Sequence, residues 1–575
     1  MANSTSALTS LPIYSRLDPL RRETRLLTLH PSKDHTIPIN ASLHVVSLYH
    51  HHHYEALSYC WGSDETQPSI SLSGQDFKIN SNLHSALFRL RNGRHPRIIW
   101  IDALCINQKD VAERGSQVQL MEEIYKRCES CFIWLGESNN KTNTAIMVLR
   151  DWAGAGHLHD YNFSASHITA AAELTSRPWF LRLWTVQESI LPQNLVVICG
   201  EDTWSWSIFV DAFKSLEKHL TSPCCSVHND TANEHVRQIN EFIQAVAVIE
   251  HSRDLYPKKR DPLTCLNTFR VRDAKDARDK IYGLLSLIHL PDEKFIEVSY
   301  EDPVEKIYTR LCEKFIEQAG SLEVLKYVLR GVDGEQSKRL TLPSWVPDWT
   351  LRIPEPRWQQ GRLNRYSLYN ACGRTSKRYK PEFLDIAQKS ILKVKAISCG
   401  TVASVGEERH ADMGEQLPKD WYGLAAASCS REASIVRDDF FRTVIMDTFV
   451  DLAGGKVKPS RRATHVDYKK YRKWPALIVE GSWPKVTDGL HFSLETATLL
   501  RSFFVTSDGH FGIGPAGMKP RDEIFVVEGG SCPLVLRSTD QNNHYILLGD
   551  CYLDKFMDGE AITEFETRSK FVYIE

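Results

Sequence analysis

Glu188 is the residue on which chemistry could turn. It stands four places after Trp184 in RPWFLRLWTVQE, residues 177–188, a stretch that reads as a helix. That spacing puts both side chains on one helical face, about 6 Å apart at the Cβ atoms. A glutamate with an ordinary pKa of about 4.3 is ionised at neutral pH unless it is desolvated. It could then accept hydroxyl hydrogen bonds and stabilise positive charge developing on a sugar carbon, as glycosidase carboxylates do. The structural alternative is that Glu188 pairs with Arg177 or Arg182 and ties the helix down. A second group, Asp102, Asn107, Gln108, Asp110, Glu113 and Arg114, is the densest polar cluster in the chain. Facing a ligand, it could hold ribose or phosphate, with Arg114 forked onto an anion. As structure, Asp110 caps a helix and Glu113, at the third helical position, completes a capping box. Trp61 and Gly62 either make a tight turn that lets a ligand approach the backbone, or Trp61 is a core aromatic.

These side chains need a frame. Short apolar runs at 24–29, 42–49, 54–59, 69–72, 97–102, 131–135 and 194–199 alternate with amphipathic stretches. This is the pattern of an α/β domain on an open, mostly parallel sheet. Ligands of such sheets sit beyond the carboxyl ends of the strands, which is where 58–64 and 102–108 fall, so these loops are expected to line a shared cleft. One helix is expected over 111–128, with Val118, Met121, Tyr125 and Cys128 as its buried stripe. Another is expected from Ser176, as N-cap, with Pro178 in the first turn, to about residue 191. Four regions result: an α/β domain over 1–215, a helical middle over 216–340, an irregular connector over 341–390 packed on a surface, and a β-rich domain over 391–575. Helical spacing in the middle falls at 234–250, 279–288 and 303–319. The last region reads as a small antiparallel sheet or barrel with a helical insert near 418–452.

Three segments carry more Trp, Asp, Gln and Arg than packing requires: YEALSYCWG at 54–62, the run 99–137 containing WIDALCINQKD, and RPWFLRLWTVQE at 177–188. In this order they resemble the three blocks of the fungal heterokaryon incompatibility (HET) domain family. DARDKIYGLLSL at 276–287 and SWVPDW at 344–349 resemble regions that accompany the domain in long HET proteins. The resemblance implies a fold distantly similar to TIR domains, several of which cleave NAD, and a role in non-self recognition at cell fusion that ends in cell death. The Trp-x-x-x-Glu spacing of Trp184 and Glu188 is similar to that around the glutamate of NAD-cleaving TIR domains. On that reading Glu188 is the catalytic group, and Trp61, Gly62, Asp102, Asn107, Gln108, Arg114 and Trp184 shape the substrate site. Loss of nicotinamide leaves a ribosyl cation and a neutral leaving group, so one carboxylate suffices. NAD would be the substrate and no cofactor is needed. The competing reading is a non-catalytic module that signals by self-association or through a protein partner.

The whole chain bounds these readings. Its 575 residues exceed what one core supports, and 42 % hydrophobic with 25 % charged residues is an ordinary globular composition. A net charge of −2 offers nothing global to nucleic acid or anionic lipid. The first residues lack the pattern of a secretory signal and no window is long and apolar enough to span a bilayer, so a cytoplasmic chain with reduced cysteines is expected. The four histidines at 50–53 read as an exposed loop, Cys128 and Cys131 as core, and Cys224, Cys225 and His228 as lacking a fourth metal ligand. GIGP at 512–515 reads as a β turn and the basic run 461–473 as a solvated face.

Overall fold

A computed structural model describes residues 13–34, 36–62, 66–154, 164–220, 234–258, 260–290, 295–330, 340–353, 356–373, 381–386, 389–410, 413, 416–428, 432–453, 456–470 and 489–575. The chain divides into two compact units: residues 1–260, 272–289 and 297–301 form the first, and 261–271, 290–296 and 302–575 the second.

The first unit is built on a nine-stranded sheet. Its strands are β1 (Glu23–Leu29), β2 (Asn40–Ser47), β3 (Glu55–Tyr59), β4 (Ser69–Leu72), β5 (Gln75–Lys78), β6 (Arg97–Trp100), β7 (Cys131–Trp134), β8 (Leu195–Cys199) and β9 (Asp202–Ser205). They lie in the order β5-β4-β2-β1-β6-β3-β7-β8-β9. The centre, β6-β3-β7-β8, is parallel throughout. Antiparallel pairs β1–β6 and β8–β9 flank it on either side. Strands covered on both faces are read as unbroken apolar runs, and all four residues of β7, CFIW, are buried. β5 and β9 carry no apolar run that the sequence could show, because each is four residues long with three of them polar.

Two expected helices differ from the structure. The chain over 176–191 is not one helix: Ser176 ends a preceding helix, Arg177 caps α3 (Pro178–Leu181), and α4 spans Thr185–Ile190. Between them Arg182 is extended and bridges Asp273, whose carbonyl accepts the Leu183 N–H at 2.8 Å. Backbone groups taken by a distant segment cannot continue a helix. Likewise 279–288 keeps only α5 (Asp279–Tyr282) and a 3-10 turn. The helices at Glu234–Leu255 and Val304–Ala319 do form where the spacing placed them.

The second unit is β-rich. Its main strands are β10 (Glu382–Ile386), β11 (Lys389–Val405), β12 (Arg501–Thr506), β13 (Phe511–Pro515), β14 (Glu523–Val527), β15 (Leu534–Ser538), β16 (His544–Asp550), β17 (Tyr552–Leu553) and β18 (Lys570–Ile574). The pairs β14-β15-β16-β18-β11 close on themselves because β11 also pairs β14. Closure leaves that ring without a free edge. β11 can serve so many neighbours because its register shifts between Ser398 and Gly400 and again between Val402 and Ser404, each shift bending the strand. Helices over 420–427, 433–444, 465–470 and 489–498 lie between β11 and β12, as the expected insert does, but reach further.

Three expectations for this unit need correction. GIGP belongs to β13, not to a turn: a Cβ at Gly512 would come within 2.2 Å of the Phe504 ring and 2.6 Å of the Tyr552 carbonyl, so the glycine makes room for packing. Gly512→Ala should therefore cost about 1 to 3 kcal/mol by overpacking, read as a lower urea midpoint, and an unchanged midpoint would refute this account. The segment around SWVPDW is no surface connector, since Trp345 and Trp349 are buried. The basic run is paired rather than solvated at its start: Arg461 binds Asp451 and Asp467, and Arg462 binds Asp447 and Asp558. Its later members, Arg472 and Lys473, lie outside the described residues. No described helix is long and apolar enough to cross a membrane.

Candidate functional site

The parallel strands β3 and β6 end side by side, and the loops after them meet as expected. The Trp61 indole N–H donates to Asp102 Oδ2 at 3.2 Å. Asp102 opens the short helix α1 (Asp102–Cys105), and its backbone carbonyl accepts from the Gln108 amide at 2.8 Å. Gly62 turns the chain at φ +75°, where a side chain would be strained. Residues 63–65, and with them Asp64, lie outside the described residues. From the break between α3 and α4, Arg182 reaches across: its guanidinium binds the Tyr59 carbonyl, lies 3.3 Å from Asp102 Oδ2, and stands 5.9 Å from the Trp61 ring centroid. Trp61, Asp102 and Arg182 are thus a half-buried cluster of indole, carboxylate and guanidinium at the carboxyl ends of the strands.

Glu188 lies beneath them, 1 % exposed. Ser58 Oγ donates to its carboxylate at 2.5 Å, and the Trp179 indole N–H donates to Ser58 Oγ at 2.8 Å. Buried hydroxyls of Tyr59 and Tyr125 surround it without a well-formed hydrogen bond of their own. Burial pushes the Glu188 carboxyl up to about 7; Arg182 works against the rise, Asp102 adds to it, and the Ser58 hydroxyl favours the ionised form. A carboxyl with that value exchanges its proton near neutrality, which suits acid–base work. In this enclosure the partners in reach are protein groups.

The remaining site residues go elsewhere. Trp184 does not join Glu188: its indole N–H donates to Asp279 Oδ2 at 3.0 Å, and the Tyr300 hydroxyl donates to Asp279 Oδ1 at 2.7 Å. The Arg114 guanidinium stands over the same tyrosine, 3.8 Å from its ring centroid. Trp184 and Arg114 therefore belong to a second cluster, around Asp279. Asn107 is held in a turn, its N–H given to Glu113 Oε1 at 2.7 Å and its side chain accepting from Lys109 N at 3.3 Å. Asp110 does cap α2 (Val111–Arg127), accepting from Glu113 N at 3.0 Å. Glu113 does not reach back to complete a capping box, because Arg25, 1 % exposed, takes its carboxylate in a two-pronged ion pair.

Of the two arginines offered as partners of Glu188, Arg182 gives its guanidinium to the Tyr59 carbonyl and Asp102 and acts on Glu188 only through its charge. Glu188 is not bound to Arg177, which donates to the Leu135 and Glu137 carbonyls. Reading the sequence did not single out Trp179, Tyr125 or Asp279 as partners. The first and third sit in the tryptophan- and aspartate-rich blocks, whereas Tyr125 looked like any core aromatic on a helical stripe. The histidine loop lies between β2 and β3 with His53 Nδ1 2.5 Å from Glu129, and among the described residues no group of three or more His, Cys, Asp or Glu could hold a metal. Cys128 and Cys131 are buried, whereas Cys224, Cys225 and His228 lie outside the described residues.

Comparison with known proteins places these features. Residues 54–188, from the start of β3 to Glu188, match the family described as heterokaryon incompatibility protein (HET). Residues 440–574, which hold most of the closed ring, match the Het-6 beta-barrel domain. The chain is 23 % identical to "Heterokaryon incompatibility protein 6, OR allele" of Neurospora crassa, an alignment covering 93 % of this chain and 94 % of that protein. No solved structure matches it. Both domain matches, in order, and a relative aligned nearly end to end support placing the chain with the heterokaryon incompatibility (HET) family.

Proposed function

We propose that this protein acts in fungal non-self recognition at cell fusion, as a cytoplasmic effector of heterokaryon incompatibility and cell death. Its HET domain works by associating with itself or with a protein partner. The HET domain match and the Neurospora relative support the biological role. One observation supports association over catalysis: the carboxyl of Glu188 is 1 % exposed and held by Ser58. A carboxylate that stabilises a ribosyl cation must touch it.

A second reading, a TIR-like NAD glycohydrolase that opens on assembly, is favoured by the half-buried Trp61, Asp102 and Arg182 above Glu188, a set able to hold ribose and phosphate. Nicotinamide release from NAD by the full chain, concentrated or artificially clustered, separates the two when run beside Glu188→Gln. The expected result is no release above buffer from either protein and equal killing in fusing cells. Release by the wild type that falls by about a hundredfold or more in Glu188→Gln would establish the hydrolase instead.

A further inference from the structure

The sheet of the first unit is open along part of β2. Backbone bonds between antiparallel strands alternate in direction along each strand. The His30 N–H donates to the Asn40 carbonyl at 3.0 Å and the Leu48 N–H to the Arg22 carbonyl at 3.1 Å, so the even-numbered residues of β2 turn their backbone groups to β1. The odd-numbered residues turn theirs away. On that side β4 pairs only with Asn40 and Ala41, and among the described residues no strand pairs with 42–47.

Both ends of this stretch are closed by the chain itself. At one, the Ser73 N–H donates to the Ala41 carbonyl at 2.7 Å and the Leu43 N–H donates to Ser73 Oγ at 3.2 Å. At the other, the Ser47 carbonyl accepts from the His50 N–H at 3.1 Å. The groups left facing outward are the Leu43 carbonyl, the N–H and carbonyl of Val45, and the Ser47 N–H. A two-fold axis beside Val45 sets these groups against themselves. Val45 of each copy exchanges both bonds with Val45 of the other, and each Ser47 N–H meets the other copy's Leu43 carbonyl. No outward group is left over, as a contact that uses the same patch on both copies requires.

The side chains suit the same partner. Exposed sheet edges are commonly guarded by charge or proline, and the terminal strands of this sheet conform: β5 carries Asp76 and Lys78, and β9 carries Asp202. The open stretch of β2 reads Leu-His-Val-Val-Ser over 43–47, without Lys, Arg, Asp, Glu or Pro. Val45, at its centre, is 42 % exposed.

We propose that β2 is the surface through which the first unit pairs with a second copy of this chain, strand against antiparallel strand, joining two sheets into one. Such pairing rests on the self-association reading given above and supplies its contact. The contact is small, so it forms and parts with concentration.

Sedimentation of the full chain between about 5 and 200 µM, where contacts of this size are partly formed, is expected to show the wild type passing from monomer to dimer. Val45→Lys and Val45→Glu place like charges opposite one another across the axis, so each alone pairs at least about tenfold more weakly. Mixed, the two form a dimer of one of each, because the axis sets residue 45 of one copy against residue 45 of the other. Val45→Pro removes the outward N–H and none of the bonds to β1, and it too is expected to stay monomeric. The two charged variants keep the wild-type urea midpoint at low concentration, which separates lost pairing from lost folding. A wild type that stays monomeric throughout overturns the proposal and self-association with it, leaving a different protein as the partner. A dimer that persists in all three variants, or Lys and Glu chains that do not pair when mixed, overturns the β2 contact alone, since association then uses another surface.

Discussion

Glu188→Gln should make the first unit more stable than the wild type at pH 8 and leave it nearly unchanged at pH 4. The cause is the enclosure of the carboxyl, whose pKa is raised by burial to about 7 from an ordinary 4.5. Well below 4.5 the group is protonated in folded and unfolded chains alike and costs nothing. As the pH rises from 4.5 to 7 only the unfolded chain gives up the proton, so the contribution of protonated Glu188 to stability drains away. Above 7 the loss is complete, and a shift of this size corresponds to roughly 3 kcal/mol. Glutamine keeps an oxygen for Ser58 Oγ and never ionises. Urea unfolding followed by tryptophan fluorescence at a series of pH values gives the comparison, since Trp134 and Trp179 lie in this unit. A stability difference that stays flat with pH, or that favours the wild type at pH 8, would mean that the carboxylate is solvated or paired and that the enclosure is wrong.

That prediction rests on features unevenly visible in the sequence. The parallel centre of the sheet was legible because β3, β7 and β8 are short apolar runs bounded by polar turns, and their positions differ from expectation by a residue or two at the ends. The meeting of Trp61 with Asp102 was legible too, since neighbouring parallel strands must bring their following loops together. What failed was everything decided by a partner far along the chain. Trp184 and Glu188 have helical spacing, but the chain straightens at Arg182 to pair with Asp273, and Trp184 turns to Asp279, 95 residues on. Arg114 has the right type to grip an anion, yet the segment that brings Tyr300 beneath it carries no local signal. In the barrel, β18 was overlooked because KFVYI is short and stands alone, although it is the strand that joins β16 to β11 and completes the ring. Glycine in GIGP was read as a turn former by its freedom, whereas its absent side chain is what Phe504 requires.

The strongest single dependence in the second unit falls on Asp550, and Asp550→Asn should lower its stability by about 3 to 5 kcal/mol, the usual cost of leaving a buried charge without its partner. Asp550 is fully buried at the end of β16. Burial would push its carboxyl up, but Arg362 and Arg501, with the Tyr366 hydroxyl donating at 2.6 Å, more than offset that and hold it below the usual carboxylate range. Asparagine preserves the volume and one acceptor for Tyr366, so a loss would come from charge and not from a cavity. Two guanidiniums would then face each other without a counter-charge, which fixes the outcome of a second substitution. Arg362→Met added to Asp550→Asn should recover part of the loss, although Arg362→Met alone is destabilising, because in the double variant it removes an unpaired charge and in the single variant it removes a pair. Chemical unfolding of the four proteins gives the coupling directly. Additive effects would show that Arg362 and Asp550 do not depend on one another, and a cost of Asp550→Asn under about 1 kcal/mol would show that solvent reaches the pair, so that the burial of Asp550 could not stand.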